Sequence, residues 1–200
     1  MRRVLVLLAP LALFACGGAV DPSGVGSSNS AESDGEHSDR IDPPTVPAAL
    51  AVPEAGDVVL KRAYATGFQI YACLASGTGY AWVFQAPQAD LFRDAELEHH
   101  IGTHFKGPTW QIGNDEHSSS VVGKVLAKAS IDPTAVPWLL LQAVSSSGDG
   151  VLTRVRYIQR VDTVGGIAPT SSCDATNVGA SANTPYTATY YFFGLPDGEE

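Results

Sequence analysis

Three regimes of hydrophobic patterning divide the chain. Val4 to Phe14 is an apolar run behind Arg2 and Arg3. It is too short to span a bilayer as a helix, and a basic start followed by an apolar core is the layout of a secretory signal. From Gly17 to about Thr45, large apolar residues nearly vanish among Ser, Gly, Asp and Glu. Such a composition cannot bury enough surface to offset chain ordering, so this stretch is expected to be a disordered tether. After Gly56, short runs rich in Val, Ile, Tyr, Phe and Thr are punctuated by Gly, Pro, Asn and Asp at the spacing of an all-β domain. No stretch keeps a helical period over three turns.

Within the third regime, Asp57 to Ala65 and Phe68 to Leu74 read as two strands separated by Thr66-Gly67. In the second, Phe68, Ile70, Ala72 and Leu74 alternate against Gln69, Tyr71 and Cys73. Tyr80 to Gln85 is a third strand, ended by Ala86-Pro87, and Gln88 to Glu98 admits either a short helix or a loop with an edge strand. Gly102, Gly107 and Pro108 are expected to bend the chain sharply around His104. Trp110 to Ile112 and Ser120 to Ala127 follow as strands, and Pro137 to Leu141 is apolar throughout, as in a strand buried on both faces. Asp149-Gly150 signals a hairpin. Beyond it Val151, Val155, Tyr157 and Val161 fall on one face, with Arg154, Arg156 and Arg160 on the other. Ala168 to Pro185 reads as irregular, whereas Tyr186 to Phe193, aromatic on both faces, reads as a central strand. Trp82, Trp110 and Trp138 are the expected core anchors. About nine strands in about 145 residues suffice for one domain, either a β-sandwich or a small closed β-barrel.

The residues after the apolar run change the picture of location. Leu13-Phe14-Ala15-Cys16 resembles the bacterial lipobox, in which a small residue precedes a cysteine whose thiol takes a diacylglycerol. Phe14 is bulkier than the usual middle residue, and ordinary signal cleavage near Ala15 is the alternative. The expected organisation is a lipoprotein signal over 1–15, a lipidated Cys16 and linker over 16–45, and an all-β domain over 46–200. Gly17, rather than an aspartate, follows the cysteine, which resembles lipoproteins sorted to the outer membrane where the organism has one. A tether of about thirty residues holds the domain on the order of 30 Å from the membrane. Without the signal the net charge of −9 becomes −11, so nucleic acid is not an expected partner. The membrane, through the anchor at Cys16, is.

With Cys16 assigned to lipid, Cys73 and Cys173 remain in an oxidising compartment, and a disulfide between them is the natural reading. A metal pair or two free thiols are the competing readings. A bridge closing a loop of about 100 residues stabilises by at most roughly 4.7 kcal/mol in the chain-entropy model.

Several segments carry a family resemblance. They are Gln69-Ile70-Tyr71-Ala72-Cys73, Ala86-Pro87-Gln88-Ala89-Asp90-Leu91, Gly102-Thr103-His104-Phe105-Lys106-Gly107-Pro108-Thr109-Trp110, Val136-Pro137-Trp138-Leu139-Leu140-Leu141 and Tyr157 through Gly166, completed by Cys173-Asp174 and Tyr186 through Phe192. In order and spacing they resemble a family of secreted bacterial and fungal proteins known as domain of unknown function number 3455. The resemblance runs from about Pro47 to Phe193 and implies no particular activity. Ala95 through His100 stands where a short Gly-containing turn is expected, so any role of His99 or His100 is particular to this chain.

The familiar catalytic and cofactor signatures are absent: no Gly-x-Ser-x-Gly elbow, zinc helix, phosphate loop or dinucleotide fingerprint, and no cofactor is implied. His100 and His104 are weak metal candidates. On a strand they stand roughly 13 Å apart, too far to hold one ion. His104 suits general acid or base chemistry because imidazole titrates near neutrality. The competing role is a ring that caps a backbone group in the corner and packs beside Trp110. For a site, the candidates are Asp90 orienting the imidazole, His104 itself, Trp110, and Arg160 meeting an anion. For the three arginines, solvated edge charge that discourages strand-to-strand aggregation is the first reading and anion binding the second. The expected function is that of a binding or surface-interaction module in the cell envelope, with a small-molecule hydrolase or other enzyme using His104 as the alternative.

Overall fold

The alternation between Asp57 and Leu74 continues through Thr66-Gly67, and Val58–Ser76 forms a single strand of 19 residues, β1. Gly67 is therefore not a turn residue. A Cβ there would run into the Gln88 carbonyl and the Ala89 Cα, so glycine lets two backbones pass closely within the sheet. The computed structural model describes residues 40–114 and 117–196; the signal segment, Cys16 and most of the expected tether lie outside them.

Seven further strands follow: β2 (Gly79–Phe92), β3 (His100–Phe105), β4 (Thr109–Ile112), β5 (Ser119–Ala129), β6 (Trp138–Gly148), β7 (Val155–Gly165) and β8 (Ser181–Gly194). Each pairs antiparallel with the next, and β8 pairs back onto β1, closing one barrel. Of the two architectures compatible with the pattern, the barrel is the one formed. Eight strands form rather than about nine: the first two expected ones merge, the edge strand allowed at Gln88 becomes the end of β2, and β3 is added where a corner is expected.

Other expectations give way to bulges. Ala86-Pro87 does not end β2; the register slips between Ile70 and Tyr71, leaving Gln85 unpaired, and the irregularity accommodates a proline within the strand. Gln88 to Phe92 consequently belongs to β2, and no helix forms. The turn beyond it is held by the Asp94 carboxylate, which accepts the Glu98 and His99 backbone N–H groups at 2.9 and 3.0 Å. His104 lies on β3 rather than at a corner, and the sharp turn comes just after it, at Gly107 with φ 120°. Val151 opens a 3-10 turn, Val151–Arg154, instead of a strand, and β8 begins at Ser181, inside the stretch expected to be irregular.

Two apolar layers result. The inner one fills the barrel with Ala65, Leu91, Trp110, Val121, Leu141, Ile158, Tyr190 and Phe192. The outer one covers β6, β7 and β8: Leu50, in a 3-10 turn at Ala48–Leu50, packs with Leu140, Tyr157, Val161, Tyr191 and Phe193, with Ile41 and Val46 beside them. Gln159 secures this strap by donating from Nε2 to the Leu50 carbonyl at 2.6 Å. The aromatic alternation of β8 thus serves both layers. One end of the barrel is plugged by Leu152 of the second 3-10 turn, whose N–H reaches Ser119 Oγ at 3.2 Å.

Trp110 is the only one of the three tryptophans fully in the core. Trp82 and Trp138 are half-buried; the Trp82 indole donates to the Ser171 carbonyl at 3.0 Å, and Trp138 packs at the edge of the outer layer. Gly123 makes room for the Trp110 indole, since a Cβ there would lie 3.0 Å from its ring. Gly123→Val is therefore expected to lower stability by roughly 1–3 kcal/mol through overpacking, read as a lower denaturant midpoint at unchanged slope. An unshifted midpoint would show that the indole has other room.

Candidate functional site

The bulge between Val155 and Tyr157 separates the arginines expected on one face. Arg156 stays outside and pairs with Asp57 at 3.0 Å. Arg160 follows Ile158 onto the inner face, so for this residue the edge-charge account does not hold. Its Nε and Nη2 donate to the Pro137 carbonyl at 3.2 and 2.8 Å, and the guanidinium lines a cavity at the unplugged end of the barrel.

His104 reaches the same cavity from β3 and is 2% exposed. It sits directly across the ladder from Trp110, and the rings stack at 4.3 Å between centroids and 10° between planes. Tyr190 closes the cluster edge-on, 5.2 Å from the imidazole and 5.3 Å from the indole. His104 Nδ1 lies 2.9 Å from the Thr109 carbonyl. A carbonyl only accepts, so Nδ1 carries the proton and Nε2 keeps its lone pair. Burial pushes the imidazole pKa down to about 3; the bond to Thr109 opposes that fall and the Arg160 charge adds to it. The ring is neutral at physiological pH.

The tyrosines stay protonated for the same reason. Burial raises the pKa of Tyr190 and Tyr186 against the pull of Arg160, and their hydroxyls lie 3.4 Å apart. Tyr71 donates to the Gly166 carbonyl at 2.7 Å.

Two polar groups of this cluster are shut away from solvent. Gln69, 2% exposed, turns its amide toward the Tyr186 hydroxyl, where it opposes the rise of that pKa, and Trp110 Nε1 is buried without a hydrogen-bond partner. Both residues line the cavity, which holds about 230 Å³ and has apolar walls from Phe84, Val125, Leu139 and Leu141. An eight-stranded barrel is wide enough either to be filled by side chains or to keep space for one small ligand; here the plugged end is filled and the other is not. A larger hollow of about 500 Å³ lies over the outside of β1, β2 and β3; the exposed Asp90 and Lys106 stand on it, and His104 contributes to its floor.

A family model described as Protein of unknown function (DUF3455) matches residues 53–194, from just ahead of β1 to the end of β8. The chain belongs to this family. No curated protein and no solved structure matches the chain. The DUF3455 domain therefore coincides with the barrel, and its chemistry is read from its own residues.

Of the candidates named from sequence, the barrel brings together His104, Trp110 and Arg160. It does not bring Asp90 to His104. Asp90 is exposed, with Oδ1 3.5 Å from Nε2 of His100, while the imidazole bond expected from it is made by the Thr109 carbonyl. His100 is exposed and His104 buried; among the described residues no group of three or more His, Cys, Asp or Glu is placed to hold a metal ion. Gln69 and Tyr190 were not among the candidates. The signal for Gln69 lies in its alternation: Gln69, Tyr71 and Cys73 are the buried set of β1, whereas Phe68 and Leu74 are 41% and 36% exposed. The bridge between Cys73 and Cys173 is formed, with Cα atoms 5.5 Å apart, and ties the loop before β8 to the same end of the barrel as the cavity.

Proposed function

We propose that the DUF3455 domain of this chain is a binding module of the cell envelope, held to a membrane by lipid at Cys16, whose barrel takes a small molecule through its unplugged end. The observation that carries the reading is the cavity of about 230 Å³ itself, where the half-buried Arg160 and the buried His104 meet apolar walls at the unplugged end. A concave, mostly apolar space with a few convergent polar groups is the usual form of a small-molecule site. An enzyme using His104 is less well supported: with a pKa near 3 and its Nδ1 proton committed to Thr109, the ring is poorly poised for proton transfer near neutrality. A net charge of −9 argues against nucleic acid as the partner.

The test is native mass spectrometry of the full-length chain extracted gently from its own host's envelope. A stoichiometric small molecule is expected on the wild type and not on Val125→Trp, which narrows the cavity from a half-exposed wall position. A bare wild-type mass that also takes up nothing from a host metabolite extract sinks the reading. Anchoring is checked separately: Cys16→Ser is expected to move the chain from the membrane fraction to the soluble one, and an unchanged membrane fraction would remove the lipid from the proposal.

A further inference from the structure

Resting on that binding reading, we infer that the ligand is a small carboxylic acid, bound as its anion with the head group beside Arg160 and an apolar body toward the unplugged end of the barrel.

The first argument is charge. Arg160 is the charged group of the cavity lining, and no Asp or Glu lies on that lining. Among the described residues none makes an ion pair with it; the contacts of its Nε and Nη2 are with a neutral carbonyl, that of Pro137. Its positive charge bears on Tyr71, His104, Tyr186 and Tyr190, all partly or fully buried, and none of these supplies a negative charge. A half-buried guanidinium in such surroundings favours an anion over a neutral guest.

The second argument is the count of donors and acceptors. Everything Arg160 can offer is an N–H donor, and its fork keeps further N–H groups beyond those that meet the Pro137 carbonyl. A carboxylate is acceptor-only, with about four lone-pair sites on two oxygens, and brings no donor that needs a partner of its own. A phosphate head carries more charge than a single guanidinium meets, and strong hydration that the surrounding Leu139 and Leu141 do not replace.

The third argument is size and lining. A space of about 230 Å³ equals about eight water volumes, enough for an acid with one ring and too small for a long acyl chain or an oligosaccharide. Phe84, Val125, Leu139 and Leu141 give the remainder of such a molecule an apolar wall.

The experiment follows the indole N–H resonance of Trp110 in the full-length chain, assigned with Trp82→Phe and Trp138→Phe, during titration with benzoate and with its uncharged isostere benzamide. Benzoate is expected to move this resonance saturably and to bind roughly ten- to a hundredfold more tightly than benzamide, the range for a hydrogen bond to a charged group. Arg160→Gln is expected to weaken benzoate alone, and Arg160→Lys to restore part of the loss. Equal affinity for acid and amide in the unaltered chain overturns the acid class while leaving the binding module standing. If benzoate, phenylacetate, cyclohexanecarboxylate and benzamide all leave the indole unmoved, the acid class and the binding reading fall together. The acid and amide comparison needs no substitution at Arg160, so it decides the matter whether or not the variants fold.

Discussion

Replacing both Cys73 and Cys173 by alanine is expected to lower the free energy of unfolding by about 3–4.7 kcal/mol, the higher value being the chain-entropy figure for a loop of this length. The bridge spans a sequence separation of 100 and joins the end of β1 to the loop between β7 and β8. Within that loop, Gly179 N–H bonds the Cys73 carbonyl at 2.8 Å, and Cys73 N–H bonds the Ala180 carbonyl at 2.9 Å. These two bonds sit beside the bridge, so they are expected to fray with it. Alanine is preferred to serine because Cys73 is fully buried and a hydroxyl there would need a partner. The measurement is urea unfolding of the oxidised wild type against the double variant. A difference below about 1 kcal/mol would mean that packing alone holds the loop.

The second large effect is on acid stability, through His104. Its folded pKa, about 3, lies below the ordinary value of 6.5, so the unfolded chain binds this proton first as pH falls. Stability is therefore complete above about 6.5 and declines toward 3, by at most about 1.4 kcal/mol per pH unit and about 3 kcal/mol by pH 4.5. Asp94, Asp132 and Asp174, whose pKa values are lowered chiefly by hydrogen bonds to backbone and side-chain donors, act in the same direction but only at lower pH. His104→Gln retains an amide donor for Thr109 and removes the titration. Its unfolding free energy is expected to be flatter between pH 6.5 and 4.5 by about one proton per molecule. Parallel profiles for wild type and variant would place the imidazole in contact with water.

Both results depend on how the ends of the strands are arranged, and that was only partly legible in the chain. Alternation in β1, the Asp149-Gly150 break, the apolar run at Leu139 to Leu141 and the doubly aromatic β8 were all readable, because a period of two is imposed locally by the pleat. At Thr66-Gly67 the sequence is ambiguous because glycine can mark either a turn or a close backbone approach, and only the neighbour at Gln88 and Ala89 decides which. The three arginines were placed on one face for a similar reason: a single bulge beside Val155 inverts the faces beyond it, and a bulge leaves little trace in composition. Gln69 was passed over because a lone glutamine among apolar neighbours resembles a solvent-facing residue until the barrel closes around it.

By itself, the sequence determined the all-β class, the family to which the domain belongs and the pairing of Cys73 with Cys173. These follow from local periodicity, from counting, and from motif order. Tertiary structure alone decided that the sheet closes, that one end is plugged by Leu152 while the other keeps a cavity, and that Asp90 faces outward while Arg160 faces in. The physical reason is that closure, register and bulges are set between strands far apart in the chain. The inside of a barrel is a property of all eight at once.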